Sequence, residues 1–80
     1  MKNKDEINRT IGIRLAALCG SFNVKPDDLG NAIGVSRSQA NRILAAKAAL
    51  SAAQLVLAAQ RLGVTTAVIT DEEKFRRATR

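Results

Sequence analysis

Leu29-Gly30-Asn31-Ala32-Ile33-Gly34-Val35-Ser36-Arg37-Ser38-Gln39-Ala40-Asn41-Arg42-Ile43-Leu44 is the stretch whose reading decides the fold. Gly34 follows the apolar Ile33 and supplies the left-handed stop that closes a helix. Two residues later, Ser36-Arg37-Ser38-Gln39 reads as a capping box: Ser36 is the N-cap and Gln39 reaches back to it. One helix therefore ends, the chain turns through Gly34-Val35-Ser36, and a second helix starts at once, which is the geometry of a helix-turn-helix. Such a corner needs small residues where the helices touch, and Gly30 and Ala40 meet that need. Leu29, Ile33, Val35, Ile43 and Leu44 supply the apolar contacts that lock the pair.

Upstream, Pro26 suits the first turn of the helix that ends at Gly34, where its missing N–H is no loss. Asp27 and Asp28 sit at the positive end of that helix's dipole. Before it, Ile7, Ile11, Leu15, Leu18 and Phe22 form one stripe of a first helix running from about Asp5 to Phe22, with Asn23 able to end it. Cys19 flanks that stripe as a small core residue. Downstream, Ser51-Ala52-Ala53-Gln54 is a second capping box, and Leu50 and Leu55 are placed as its hydrophobic staple. The fourth helix it opens carries Leu55, Ala58, Ala59 and Leu62 inward and stops at Gly63. Val64-Thr65 begins a fifth element containing Val68 and Ile69. A capping box at Thr70-Asp71-Glu72-Glu73 allows that element to break and restart, so residues 71–80 form a basic tail or a short extra helix. The expected fold is all-α: five helices in a single domain, residues 1–80, with the helix-turn-helix at the second and third.

Composition narrows the function. The net charge is +6, and it is uneven: no acidic residue lies between Asp28 and Asp71, whereas Arg37, Arg42, Lys47 and Arg61 do. A positive stripe of this kind attracts a polyanion by counterion release. The chain has one cysteine and no histidine, so an internal disulfide is excluded, and neither a metal nor another cofactor is expected. No apolar run reaches membrane-spanning length, and Met1-Lys2-Asn3-Lys4-Asp5-Glu6 leads into no signal-peptide core, so a cytoplasmic location is expected. Nothing pairs a nucleophile with a base, so neither an enzyme nor a site for a small-molecule substrate is expected.

From Ile11 to Ile69 the chain resembles the five-helix DNA-binding domain of the Cro and phage-repressor family. The resemblance is carried by Ile11-Gly12-Ile13-Arg14-Leu15 with Leu18, by Leu29 through Gln39 with Ile33-Gly34-Val35-Ser36-Arg37-Ser38 at its centre, by Arg42-Ile43, and by Leu55 through Leu62-Gly63-Val64. It implies a cytoplasmic regulator, dimeric, that reads a two-fold symmetric operator in double-stranded DNA. It also implies a dimer contact near the fifth helix, at Val68, Ile69 and Phe75. The chain departs from the family pattern at three places. Pro26 stands where a Gln often braces the third helix and binds phosphate. Leu44 stands where a Glu commonly pairs with the first-helix Arg, leaving Arg14 without that partner. Ala45-Ala46 replaces the Asn-Gly that often ends the third helix.

The base-reading face follows from rotation alone. With Ala40, Ile43 and Leu44 inward, about 100° per residue points Ser38, Arg42 and Ala45 outward, with Asn41 beside them. Arg37 lies in the first turn, where a recognition helix meets base edges. Arginine can bind guanine bidentately, Asn can address adenine, and the Ala45 methyl can meet that of thymine. Lys47, just past the helix, suits a backbone phosphate, as do the amides near Ser36. For Ser36 and Gln39 capping is the first role and DNA contact the second. An alternative on the same fold is a protein-binding adaptor, an antirepressor or an antitoxin. Ile13 and Leu57, rotated away from their helices' inward stripes, are the candidate contacts for a protein partner.

Overall fold

The computed structural model describes residues 3–79, so Met1, Lys2 and Arg80, the ends of the expected domain and tail, lie outside the described residues. Six helices follow one another: α1 (Lys4–Ser21), α2 (Pro26–Ile33), α3 (Arg37–Leu44), α4 (Ala52–Leu62), α5 (Thr66–Thr70) and α6 (Glu72–Ala78). There is no strand among the described residues. The expected all-α class is therefore observed, and of the two alternatives for residues 71–80 the short extra helix is the one present, as α6. Among the described residues no helix is long and apolar enough to cross a membrane.

Caps account for most boundaries. Asn3 opens α1 by accepting the Glu6 amide at 2.9 Å. Lys25 N–H donates to Asp28 Oδ2 at 3.2 Å, closing the start of α2 around Pro26. The Ser51–Gln54 box is reciprocal, at 2.9 and 3.1 Å, and Leu50 and Leu55 beside it both pack on the core. The break after α5 is capped by Asp71, not Thr70: its Oδ1 accepts the Lys74 amide at 3.1 Å. Asp71 has extended φ and ψ of −105° and 123°, so the helix restarts instead of running on. The tail is thus a real helix, braced by Arg76–Glu72 and Arg77–Glu73 pairs one turn apart at 3.1 and 2.6 Å.

Helices α1 to α4 end in the same way, with a left-handed residue and a hydrogen bond from the next amide back to the last turn. The left-handed residues are Asn23 (φ 56°), Gly34 (φ 79°), Ala46 (φ 62°) and Gly63 (φ 73°). Asn and Gly tolerate this region; an alanine Cβ makes it cost about 1–2 kcal/mol. Ala46 holds it because both closing bonds form: its own amide reaches Ile43 O at 3.0 Å, and the Lys47 amide reaches Arg42 O at 2.9 Å.

The core is one cluster. Leu15 and Leu18 from α1, Leu29 from α2, Ile43 from α3 and Ile69 from α5 are fully buried, joined by Cys19, Val24, Ile33, Ala58, Ala59 and Leu62. Among the described residues no polar or charged side chain is buried. Burial pushes the Cys19 thiol up from its ordinary pKa, against a smaller opposing pull from the Arg61 charge, so it sits in the core as a protonated, unreactive thiol.

Two expectations are corrected. The inward stripe of α1 is shorter than its periodicity suggests: Ile7 is 47% and Phe22 40% exposed. At 1.5 Å per residue α1 is about 27 Å long, while α3 packed against it is about 12 Å, so the ends of α1 overhang the core. Ile69 cannot serve a dimer contact directly, because it is fully buried within the chain and α6 folds back on α5. The need for small residues at the corner is met: Gly30 and Ala40 are both buried, and a Cβ at Gly30 would lie 2.8 Å from the Val35 carbonyl oxygen. Arg14 ties the first helix to the end of the chain. Its guanidinium donates to Ile69 O at 3.0 Å and lies 5.6 Å from the centre of the Phe75 ring, within range of a cation–π attraction. Through these two contacts α1 is tied to α5 and α6.

Candidate nucleic-acid interface

Helix α3 has one buried side and one open side. Ala40 and Ile43 are buried and Leu44 is half-buried; Arg37, Ser38, Gln39, Asn41, Arg42 and Ala45 are all exposed. Buried positions three residues apart leave the rest of the circumference to solvent, so the sequence-derived set of Arg37, Ser38, Asn41 and Arg42 shares one continuous exposed surface. Lys47 is exposed just beyond it, and its amide bond to Arg42 O fixes its backbone to the end of α3.

At the start of α3, Ser36 Oγ accepts the Gln39 amide at 3.1 Å. The return half of the expected box is missing: the Gln39 side chain does not close on Ser36, which leaves it exposed on the outer surface. Gln39 is therefore less a cap than its spacing suggests and more available for contact. The amides of Arg37 and Ser38 make no hydrogen bond to the rest of the described chain. They face outward at the positive end of the helix dipole, an arrangement that favours an anion.

Arg37 is not as free as the acid-free middle of the sequence implies. Its Nε lies 3.4 Å from Asp27 Oδ1, across the turn, with the two side chains 73% and 61% exposed. A pair so open to water is worth about 0–1 kcal/mol. It nonetheless holds a carboxylate beside a side chain expected to meet DNA. Asp27→Asn is expected to lower stability by at most about 1 kcal/mol and to tighten duplex binding by roughly 2- to 5-fold. Urea denaturation and a fluorescence-anisotropy titration give the two quantities; unchanged or weaker binding would mean that Arg37 does not approach the duplex. Arg42 and Lys47 take part in no ion pair among the described residues.

Two neighbours of this surface carry no signal in the sequence. Asp27 was placed by its helix dipole alone, and its reach to Arg37 depends on how α2 and α3 cross. Arg9 lies far from Lys47 along the chain, yet both line one cleft of about 310 Å³ between the first half of α1 and the segment after α3, together with Asp5, Asn8, Ala46, Ala48 and Ala49. What brings them together is Gly12, whose missing side chain lets α1 close on the end of α3.

Compared with known protein families, curated proteins and solved structures, the chain shows no match to any of them.

Proposed function

We propose that the chain is a sequence-specific DNA-binding regulator of the Cro and phage-repressor kind, with α2 and α3 as its helix-turn-helix. Arg37, Ser38, Asn41 and Arg42 read base edges in the major groove. Lys47, Gln39 and the first-turn amides of α3 after Ser36 hold the backbone. The observation that carries this reading is the two-sided character of α3. Its inner residues are small or apolar and buried, while its outer surface has two arginines, an asparagine and a serine and no carboxylate of its own. Such a surface matches the donors and acceptors of a major groove edged by phosphates.

One helix of this length contacts only a few base pairs. Two copies of the chain on half-sites about one helical turn apart, roughly 34 Å, supply the remaining specificity. Selection of bound sequences from random duplexes tests both statements together. The expected result is an enriched, two-fold symmetric consensus with that spacing. An asymmetric consensus bound by a monomer would remove the dimer, and no enrichment at all would remove base reading.

The second reading, a protein-binding adaptor, is favoured by a different observation. Ile13 on α1 and the adjacent Val56 and Leu57 on α4 are large apolar side chains left open to solvent, available to a protein partner. The same selection separates the readings, since an adaptor enriches no sequence.

A further inference from the structure

The cleft between α1 and the segment after α3 has two walls of different origin. Arg9 is on one, with Asn8, and with Asp5 one turn earlier; Lys47 is on the other, with Ala46, Ala48 and Ala49. Its shape is held by backbone. Gly12 is one turn beyond Arg9 on the same side of α1. A Cβ at that position would come within 2.7 Å of Ile43 O and 3.0 Å of Ala46 Cα. In the opposite wall, Ala46 is left-handed at φ 62°, and the residue after that turn, Lys47, lines the cleft together with Arg9. The alanines lining the Lys47 wall are short, so neither cation is screened by a bulky neighbour, and neither is in an ion pair among the described residues.

We infer that this cleft seats one backbone phosphate of duplex DNA between Arg9 and Lys47, so that α1 joins α3 in fixing the chain on the duplex. The inference rests on the duplex-binding reading above and adds a contact from a second helix. A phosphodiester suits the site because it carries a single charge on two outer oxygens, one for each cation, and needs no deep enclosure. Lys47 is fixed to Arg42 through its amide, so a phosphate held there also sets the register of the base-reading residues. Asp5 is the opposing element. It lines the same cleft, and its negative charge repels a phosphate, which limits binding to any duplex regardless of sequence and leaves more of the affinity to base contacts.

The test is a salt series of duplex titrations with the full chain and its Arg9→Ala, Lys47→Ala, Arg9→Ala/Lys47→Ala and Asp5→Asn variants. Thermal melts run in parallel; these side chains are exposed and the melts should barely move. Each single alanine is expected to weaken binding roughly 3- to 10-fold at low salt and to flatten the log–log salt slope by up to about 0.9. Because both cations meet the same phosphate, the double variant should lie within about threefold of the weaker single. Asp5→Asn should tighten binding about twofold on operator and scrambled duplex alike. Wild-type affinity and slope for Arg9→Ala would overturn the inference while leaving the duplex-binding reading intact, and additive losses in the double variant would overturn the shared phosphate. A wild-type chain that binds no duplex would overturn both.

Discussion

Gly12→Ala is expected to destabilise the chain by about 1–3 kcal/mol, while Gly20→Ala in the same helix stabilises it by about 0.5–1 kcal/mol. Alanine is the better helix former by close to 1 kcal/mol at either site, so the opposite signs come from space alone. At Gly20 an added Cβ meets nothing within 4 Å. At Gly12 it meets backbone on both sides, the Ile43 carbonyl oxygen at 2.7 Å and Ala46 Cα at 3.0 Å, and backbone cannot rotate away as a side chain can. The end of α3 must then move off α1, which loosens the packing of Ile43 in the core and opens the tight turn at Ala46. Overpacking of this kind costs typically 1–3 kcal/mol, a large share of the roughly 4–12 kcal/mol that a chain of this length holds in total. Urea denaturation of the two variants and the parent measures the effect, as a midpoint lowered for Gly12→Ala and raised for Gly20→Ala. A Gly12→Ala chain at least as stable as its parent would show that α1 and α3 are less closely seated than the structure has them.

Arg42→Ala is expected to cost roughly 1–3 kcal/mol on the selected operator, about 5- to 150-fold in affinity, and to relax preference at one base pair in each half-site. Arg42 stands in the last turn of α3, exposed and without an ion-pair partner among the described residues, so its guanidinium is available for a bidentate contact with a guanine edge. Lys47→Ala is the comparison that gives this number meaning. Lys47 lies past the helix end, where the proposed function gives it a phosphate, and its removal should then weaken all sequences alike without reordering operator variants. Titration of both variants against operator and scrambled duplex separates the two roles. Equal losses on both duplexes for Arg42→Ala would reduce Arg42 to a phosphate contact. No loss for either variant would make α3 a solvated surface and leave the adaptor reading.

The division between the local and the tertiary can be drawn residue by residue. Asn23, Gly34 and Gly63 end helices because their own backbone preferences allow the left-handed turn, and Ser36 and Ser51 start them because a side-chain oxygen three residues from an amide finds it without help from the rest of the chain. The outward surface of α3, with Arg37, Ser38, Asn41 and Arg42, follows from rotation about a helix whose inner residues are apolar. These features depend on neighbours within one or two turns, and the amino-acid sequence alone determines them. The ends of α1 are different, since a periodic stripe states which side is apolar but not how far a shorter neighbour will cover it.

Ala46 is different again. Nothing in an alanine favours φ 62°, and it is held there by two backbone bonds and by α1 against it. Asp27 on Arg37, Arg14 on Ile69 O and Phe75, and Arg9 across from Lys47 depend on where whole helices lie. So does the burial of Ile69, which the resemblance implied as a dimer contact. Spacing along a helix fixes direction to within a fraction of a turn. The distance between two helices is set by what packs between them, and only the tertiary structure decided that.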